Sequence, residues 1–382
     1  MADFSFKISP NILLGSYAAA RIGQSVVSYG SKFMLILDPI LRENGSFEKV
    51  TKALDDKKID YFIFDELSAG GDSEILSRAL KLAQEAHIHG VIAIGGGKPI
   101  SIARTICSLF NESGDLYDFL DGKIPQSAPL PLVCIPTTIR DAFVFTDLIP
   151  LVDARNSVIK ILKSQPGIAK LVLFDPTLIV TLTEHQIASM ALETLCLATE
   201  CYLSQKENFF SNMIAEKSLE LLTLALDGSK TLTITTPKEE LLLQGGCMAS
   251  LAAATSSIGI ASLLSMCINA RYKISRSLVS TILFPYMVEE CAKFKADKIA
   301  ALAKKMGIAQ AEQSDEDAAH AFAGNIRQRI AKANLPARLK DLSVNLEQLA
   351  LAAEDAGQLD IVNHLPRSMN SDDLFNIVKT AF

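Results

Sequence analysis

The sequence predicts an α/β domain built on a parallel sheet, residues 1–178, followed by an all-helical domain, residues 179–382. Two observations support this fold class. Up to residue 175, short apolar runs rich in Ile, Val and Phe alternate with helical stretches. After that point long apolar stretches follow one another with few strand signals. Alternation of strand and helix is typical of a parallel sheet that is covered on both faces.

The predicted strands are "FMLILD" at 33–38, "YFIFD" at 61–65, "GVIAIG" at 90–95, "PLVCIP" at 131–136 and "LVLFD" at 171–175. A helix is expected over "DSEILSRALKLAQEAHIHG", with Asp72 or Ser73 as its cap. The two β-rich halves around "DARN", within "AFVFTDLIPLVDARNSVIKILK", predict a hairpin that is added to the sheet.

In the second domain the predicted helices are long and apolar, so we expect them to be buried in a bundle. They are "EHQIASMALETLCLATECYLSQ", "KEELLLQGGCMASLAAATSSIGIASLLSMCINARYK" and "LVSTILFPYMVEECAKF".

The overall composition excludes several classes of protein. The net charge of −6 is spread along the chain, and no basic stripe is present that would favour nucleic acid. No apolar run reaches the roughly 18 residues of a membrane span. The seven cysteines show no close CxxC spacing, and the N-terminus has no signal-peptide layout. We therefore expect a cytoplasmic protein with reduced, buried thiols, which binds a small molecule or nucleotide.

The most informative stretch is "VIAIGGGKPISIARTI", in which a buried strand runs into Gly95, Gly96 and Gly97 and then into a helix. Glycines there let backbone N–H groups approach a phosphate, the helix N-terminus adds partial positive charge, and Lys98 would add a full charge. A triple glycine could equally be only a tight turn.

Two neighbouring strand ends strengthen the nucleotide interpretation. Asp38 ends the first strong strand, where an acidic residue often pairs with a ribose hydroxyl, and its charge would favour NAD over NADP. The alternative is that Asp38 only ends the strand. Thr137 and Thr138 of "IPTT" place two hydroxyls at the carboxyl edge of the sheet, where ligands of open parallel sheets bind.

Taken in order, these motifs resemble the iron-containing alcohol dehydrogenase family, which shares its dehydroquinate synthase-like fold with glycerol dehydrogenase. The resemblance covers nearly the whole chain. Its motifs are "PNILLG", "GGGKPISIAR", "LYDFLDGKIPQSAPLPLVCIPTT", "LVLFDPTLIVTLTEHQIAS", "LFPYMVEECAKF", "NLPARLKDL" and "HLPRSMNSDDL". It implies a Rossmann-like dinucleotide-binding domain, a helical domain, a catalytic cleft between them and a homodimer. It also implies NAD(P)-dependent oxidation of a small alcohol at a divalent metal.

The metal-binding positions implied by the resemblance carry other residues. The family uses an Asp, a His four residues later and two further His fourteen residues apart. Here these four positions hold Glu193, Leu197, Ser262 and Arg276. Leu cannot ligate a metal, and an Arg guanidinium has no lone pair to donate. We therefore expect the metal to be absent.

Two replacements for the metal remain open. Glu193 and Arg276 should converge on the vacated site, where an ion pair would neutralise the buried carboxylate. Alternatively, Glu193, Cys196 and Glu200 share one helix face and could form a rebuilt zinc site with Cys267. The simpler interpretation makes both cysteines core residues and Glu200 a structural hydrogen-bonding group.

The family's glycine-rich loop after PTT is also changed, because Arg140, Asp141 and Phe143 replace small residues. Ser101 and Arg104 replace the Asp and Lys of the family's glycine motif. These side chains should obstruct the cofactor or reshape its pocket.

Three functions follow from these patterns. The first is an NAD(P)-dependent oxidoreductase of the alcohol dehydrogenase type with a degenerate metal site. The second is a catalytically inactive pseudoenzyme that retains the fold as a binding or regulatory protein. The third is a metal-free enzyme acting on a phosphorylated substrate, with anion contacts from Lys98, Arg140, Arg271 and Arg276.

Overall fold

The structure, a computed structural model, describes residues 8–43, 45–67, 72–229 and 233–382. It divides into two units, Met1–Thr181 and Leu182–Phe382. No single helix of the described ranges is long and apolar enough to cross a membrane. One pair of helices, Lys238–Thr255 and Ile260–Tyr272, passes that test only when joined, and the two are bent by 96° where they meet.

The first unit is built on a six-stranded parallel sheet. Its strands are β1 (Asn11–Leu14), β2 (Lys32–Leu37), β3 (Asp60–Phe64), β4 (Gly90–Gly95), β5 (Leu132–Pro136) and β8 (Ala169–Phe174). They lie in the order β1-β8-β5-β4-β2-β3. All five strands expected from the sequence are present. The edge strand β1 is additional. It has only four residues, which are exposed or half-buried, so it lacks the long apolar run of a buried strand.

The helices of this unit cover both faces of the sheet. They are α1 (Ile22–Val26), α2 (Pro39–Glu43), α3 (Glu48–Asp55), α4 (Asp72–Glu85), α5 (Gly97–Leu109) and α6 (Leu116–Leu120). Alternate residues of β2, β4, β5 and β8 form one buried cluster with α1 and α3. On α5 every residue from Pro99 to Leu109 is buried, and α5 contacts α4, β4 and β5. This two-sided cover explains why β4 and β5 are apolar along their whole length.

The predicted hairpin is present, but it does not extend the main sheet. Strands β6 (Leu148–Asp153) and β7 (Val158–Lys163) pair only with each other, as a two-stranded antiparallel sheet. The position beside β5 is taken by β8. The hairpin is tied to α4 instead, because the Asp72 carboxylate accepts from Val152 N at 3.0 Å and the Ser73 hydroxyl accepts from Ala154 N at 2.9 Å.

The second unit is helical, as the sequence predicts. Its helices are α7 (Glu184–Leu203), α8 (Phe209–Asp227), α9 (Lys238–Thr255), α10 (Ile260–Tyr272), α11 (Arg276–Lys305), α12 (Asp315–Lys332), α13 (Leu346–Gly357) and α14 (Ser371–Thr380). The stretch 238–273 is not one helix, because α9 ends at Thr255 and α10 starts after Gly259. On α7 every residue from Ala191 to Leu203 is buried, and this run includes two carboxylates, Glu193 and Glu200, among mostly apolar residues.

All seven cysteines are buried and none forms a disulfide, which confirms the prediction of buried thiols. Burial raises the pKa of Cys134, Cys247 and Cys291 to about 12. These thiols are therefore uncharged at neutral pH and pack as small apolar groups.

Candidate functional site

The predicted nucleotide-binding residues come together at the carboxyl edge of the sheet. β2 and β4 are hydrogen-bonded neighbours, and so are β4 and β5. Asp38 N donates to Ile94 O at 3.0 Å, and Thr137 N donates to Gly95 O at 3.1 Å. The chain leaves β2 towards β3 on one side and leaves β4 towards β5 on the other. This reversal between β2 and β4 is the position at which open α/β sheets bind ligands.

Both the backbone conformation and the close neighbouring atoms require a glycine at position 95. Its φ of +150° is one that residues with side chains rarely adopt. A Cβ atom there would lie 2.5 Å from Cγ of Pro99 and 2.9 Å from Cβ of Asp38. A Cβ on the next residue, Gly96, would lie 3.3 Å from Cγ2 of Thr138. The backbone therefore carries no side chain at the point where the carboxyl ends of β2, β4 and β5 meet. We call Asp38, Gly95–Gly97, Thr137 and Thr138 the nucleotide cradle.

Helix α5 starts directly behind the cradle. Its N-cap is Gly96, and no side chain of the described residues caps it. The first N–H groups and the positive end of the helix dipole thus face the cradle. Lys98 does not add a free charge, because its Nζ lies 3.3 Å from Oδ1 of Asp72. Its predicted role as the cation for phosphate therefore has to compete with this ion pair.

The polar groups of the cradle are partly committed to the protein. Asp38 is half-buried, and burial raises the pKa of its carboxyl above the usual value, while a hydrogen bond from the backbone of Ile40 opposes that shift. The hydroxyl of Thr138 donates to the carbonyl of Arg140 at 3.1 Å, which closes the turn after β5. Thr137 is buried. The cradle thus retains one exposed carboxylate edge at Asp38 and a fixed turn beside it.

The altered loop after Thr138 folds inward. Phe143 is 5% exposed and Asp141 is 6% exposed. The Asp141 carboxylate accepts from Phe143 N at 2.8 Å, so it caps the turn that it lies in. These two side chains are therefore buried parts of the fold. The expectation that they obstruct the cofactor or reshape its pocket stays a prediction. Arg140 is partly buried.

Arg104, which the sequence shows only as a departure from the family's Lys, anchors the hairpin to α5. Its guanidinium is buried and donates to the carbonyl of Leu148 at 2.9 Å and to the carbonyl of Thr146. Burial lowers its pKa, and the charge of Asp141 opposes that shift. An Arg inside a "SIARTI" helix gives no sequence signal for this role, because both acceptors lie more than forty residues away.

The family's metal positions lie on three helices of the second unit. Glu193 and Leu197 are one turn apart on α7, Ser262 is in the first turn of α10, and Arg276 starts α11. Glu193, Leu197 and Ser262 are buried. The start of α11 lies against α7, because the hydroxyls of Ser189 and Ser277 are 3.3 Å apart and Thr281 Oγ1 donates to Ser189 O at 3.2 Å. The Glu193–Arg276 ion pair stays a prediction.

Glu200 is a structural hydrogen-bonding group, as the simpler interpretation expects. Its Oε1 accepts from Ser262 N at 2.9 Å, which caps the N-terminus of α10 from a different helix. Gly259 makes room for it, since a Cβ there would lie 2.7 Å from Cγ of Glu200. Burial raises the pKa of Glu200, against the effect of N–H groups at the start of α10. Cys196 and Cys267 are core residues.

Two of the four cations expected to contact a phosphorylated substrate have carboxylate partners in the structure. Arg271 is paired with Asp355, with Nη2 2.8 Å from Oδ1 and Nε bonded to Oδ2. Lys98 is paired with Asp72. A phosphorylated substrate would have to compete with these carboxylates for both side chains, and their role as anion contacts stays a prediction.

Both units match known sequence families. The iron-containing alcohol dehydrogenase model covers residues 9–176, and the model of the family's C-terminal domain covers residues 187–382. The chain belongs to the iron-containing alcohol dehydrogenase family. It is 22% identical to 1,3-propanediol dehydrogenase of Citrobacter freundii, over 98% of this chain and 97% of that one.

Solved structures of this family have the same fold. A crystal structure of 1,3-propanediol oxidoreductase superimposes with a TM-score of 0.90 and 22% identity, over 100% of both chains. Sulfoacetaldehyde reductase from Bifidobacterium kashiwanohense in complex with NAD⁺ superimposes with a TM-score of 0.83 and 16% identity, over 100% of this chain and 99% of that one. These similarities establish the α/β and helical architecture of this oxidoreductase family.

The residues at the family's metal positions do not fit a metal ion. Leu197 offers no donor atom, and Arg276 offers only N–H donors. Within the described ranges there is no group of three His, Cys, Asp or Glu side chains that could hold a metal. The rebuilt zinc site considered from the sequence is therefore not assembled by Glu193, Cys196, Glu200 and Cys267.

Proposed function

We propose that this member of the family binds NAD in the nucleotide cradle and oxidises or reduces a small alcohol or aldehyde without the family's metal. The observation that supports the proposal is the convergence of Asp38, the bare backbone at Gly95 and the uncapped start of α5 at the switch point of the sheet. The diphosphate would contact the N–H groups of α5, and Asp38 would accept from the adenosine ribose.

The chemistry requires an electrophile beside the substrate oxygen. NAD, held by the N–H groups of α5 and by Asp38, would supply an acceptor for the hydride of the alcohol carbon, and the hydroxyl proton would leave to solvent. Arg276 is positively charged at every working pH. At a position that the family uses for the metal, Arg276 would stabilise negative charge on the substrate oxygen. A fixed cation can take over this electrostatic role of a metal ion.

Glu193 is the proposed partner that holds Arg276. It lies one turn after Ser189 on α7, and Ser189 contacts the residue that follows Arg276. A buried carboxylate at this position requires a compensating charge. A double-mutant cycle of Glu193→Gln and Arg276→Gln would show a coupling free energy on the order of 1–3 kcal/mol if the two are paired, and none if they are not.

A second candidate function is a pseudoenzyme that binds the nucleotide without turnover. The substitutions Leu197 and Ser262 favour it, because neither side chain can replace a ligand of a catalytic metal. The two functions share the cradle and differ only in chemistry. A homodimer and a cytoplasmic location stay predictions, and light scattering on the purified protein would test the first.

Nucleotide titration followed by a turnover assay tests both functions. At NAD concentrations a hundredfold above Kd, binding would add about 2.7 kcal/mol to the free energy of unfolding and raise the melting temperature. We expect Gly95→Val to lose this shift. Gly15→Ala, which meets nothing within 4 Å, is the matched control and should keep it.

The assay for turnover follows NADH oxidation with a panel of short aldehydes after treatment with a chelator. Turnover that survives the chelator and is lost in Arg276→Gln supports the metal-free oxidoreductase. NAD binding without turnover of any aldehyde supports the pseudoenzyme. If neither NAD nor NADP shifts the melting temperature, both proposals fail.

A further inference from the structure

The helical unit contains a cavity that has no part in the proposed chemistry. It has a volume of about 440 Å³ and lies where four helices end, at the first residues of α7 and α9 and the last residues of α8 and α12. Ala188, Leu192 and Leu226 give it an apolar wall. A volume of this size accommodates a small organic molecule.

The formal charges of the charged side chains around the cavity sum to one positive charge. Three cations, Lys238, Arg329 and Lys332, line it together with two carboxylates, Glu184 and Asp227. Lys238 and Lys332 are exposed on its rim. A monoanion is therefore the ligand that would balance the charge of the cavity, whereas a dianion would leave an excess of negative charge.

Arg329 provides a second observation that points to an anion. Its side chain is 10% exposed. Nη2 donates to Oδ2 of Asp227 at 2.6 Å, and Nε donates to Oδ1 of Asn325 at 2.8 Å. Nη1 is buried and has no hydrogen-bond partner within the ranges that the structure describes. Because Nη1 has almost no accessible surface, an anion in the cavity would be attracted by the charge of the guanidinium as a whole and would reach Nη1 only if the Arg329 side chain moved.

We infer that this cavity binds a compact organic carboxylate, with its carboxylate at Arg329 and the rim lysines and its short alkyl part against Leu192 and Leu226. The residues involved belong neither to the nucleotide cradle nor to the former metal positions. The site is thus a second ligand site on the chain, separate from the proposed reaction.

Isothermal titration of the full-length protein with butyrate tests this site. We expect one molecule of butyrate per chain and much weaker binding of butanol, which has the alkyl chain without the charge. Inorganic phosphate, which carries charge without an apolar part, should also bind more weakly. Lys332→Ala should weaken butyrate binding by about three- to tenfold, and Arg329→Gln by about tenfold or more.

Three variants locate the site. Ala188→Leu should abolish butyrate binding by filling the cavity while every charge remains. Lys340→Ala removes an exposed lysine outside the cavity and should leave binding unchanged. Asp38→Ala, in the cradle, should also leave it unchanged, which keeps this result independent of NAD binding.

Several results would overturn the inference. Equal affinity for butyrate and butanol would remove the role of the charge, and equal affinity for phosphate would remove the role of the apolar wall. Wild-type affinity in both Lys332→Ala and Ala188→Leu would place the ligand elsewhere. If Arg329→Gln does not fold, these two variants decide the question.

Discussion

At the scale of single residues, Asp38 is predicted to set the choice between NAD and NADP. Its carboxylate stands at the end of β2 beside Gly95, where it would accept from a ribose hydroxyl and repel a 2′-phosphate. We expect Asp38→Ala to weaken NAD binding by about tenfold, since it loses a charge-assisted hydrogen bond, and to improve NADP binding. Isothermal titration with both nucleotides measures the two affinities.

A matched control removes a carboxylate of the same unit away from the cradle. Asp60, the exposed first residue of β3, serves this purpose, and Asp60→Ala should bind both nucleotides like the wild type. An unchanged ratio of NAD to NADP affinity in Asp38→Ala would contradict the assignment of Asp38 to the ribose.

Glu200 makes a prediction about pH. Burial raises its pKa in the folded protein, so at pH values between the ordinary and the raised pKa the folded state binds more protons than the unfolded state. The stability from this proton is present below the ordinary pKa of Glu and is lost as the pH rises through the raised value. Glu200→Gln keeps an oxygen acceptor for Ser262 N without the charge. We expect it to gain on the order of 1 kcal/mol at neutral pH and nothing near pH 4.

Urea unfolding between pH 4 and pH 8 measures this difference. Glu347→Gln, an exposed change of the same kind on α13, controls for the loss of one negative charge. A gain that is equal at pH 4 and pH 8 would show that the effect does not come from titration of Glu200.

At the scale of elements, the contact between α7 and α10 depends on Gly259. A Cβ there would lie 2.7 Å from Cγ and 2.8 Å from Cβ of Glu200, so either the cap or the helix must move. We expect Gly259→Ala to destabilise the protein by about 1–3 kcal/mol, as overpacked buried positions do. Urea or thermal unfolding would measure it.

Gly324 provides the opposite case for comparison. It lies inside α12, and a Cβ there would meet nothing within 4 Å. Gly324→Ala should therefore stabilise the protein by about 0.5–1 kcal/mol, because alanine is the better helix former. Equal effects of the two substitutions would mean that the close approach of Glu200 carries no energetic weight.

The elements that the sequence predicts are those whose burial is local and continuous. β4 is foreseen over its observed span, Gly90–Gly95, because a strand covered on both faces is apolar throughout. The break between α9 and α10 is missed, since both helices are strongly apolar and the carboxylate that caps α10 lies more than fifty residues away. The hairpin is foreseen as a pair but placed wrongly, because its partners, Asp72 and Ser73, lie on a distant helix.

Part of the candidate site could likewise be predicted from the sequence, and part of it could not. The cradle follows from the sequence because its residues come directly after predicted parallel strands, whose carboxyl ends lie at one edge of the sheet. The roles of Arg104 and Asp141 inside the fold, and the cavity at Arg329, depend on contacts between distant segments that no local pattern encodes.

At the scale of the whole molecule, the metal site that the family resemblance implies, and that the proposed function does without, should be restorable by substitution. Helices carry all four positions that the resemblance assigns to the metal, and on the proposed function only the donor atoms at these positions differ. We expect the wild-type protein to contain no stoichiometric iron or zinc after purification. The combined variant Glu193→Asp, Leu197→His, Ser262→His and Arg276→His should bind about one ion per chain. Mass spectrometry of the metals measures the content.

The buried histidines should lower the melting temperature of the metal-free variant, and added zinc should raise it again. The same variant with Leu197 left in place is the control and should bind zinc more weakly. A wild-type protein that already contains one ion per chain would contradict the metal-free proposal.

The seven buried cysteines give the molecule a built-in reporter of its own opening. Because no thiol lies at the surface, a water-soluble maleimide can react with one only after the segment around it has opened. Cys107 and Cys134 lie in the first unit and the other five in the second, so the order of alkylation, followed by peptide mass, separates the opening of one unit from that of the other. The order in which the two units open can thus be measured without any substitution in the chain.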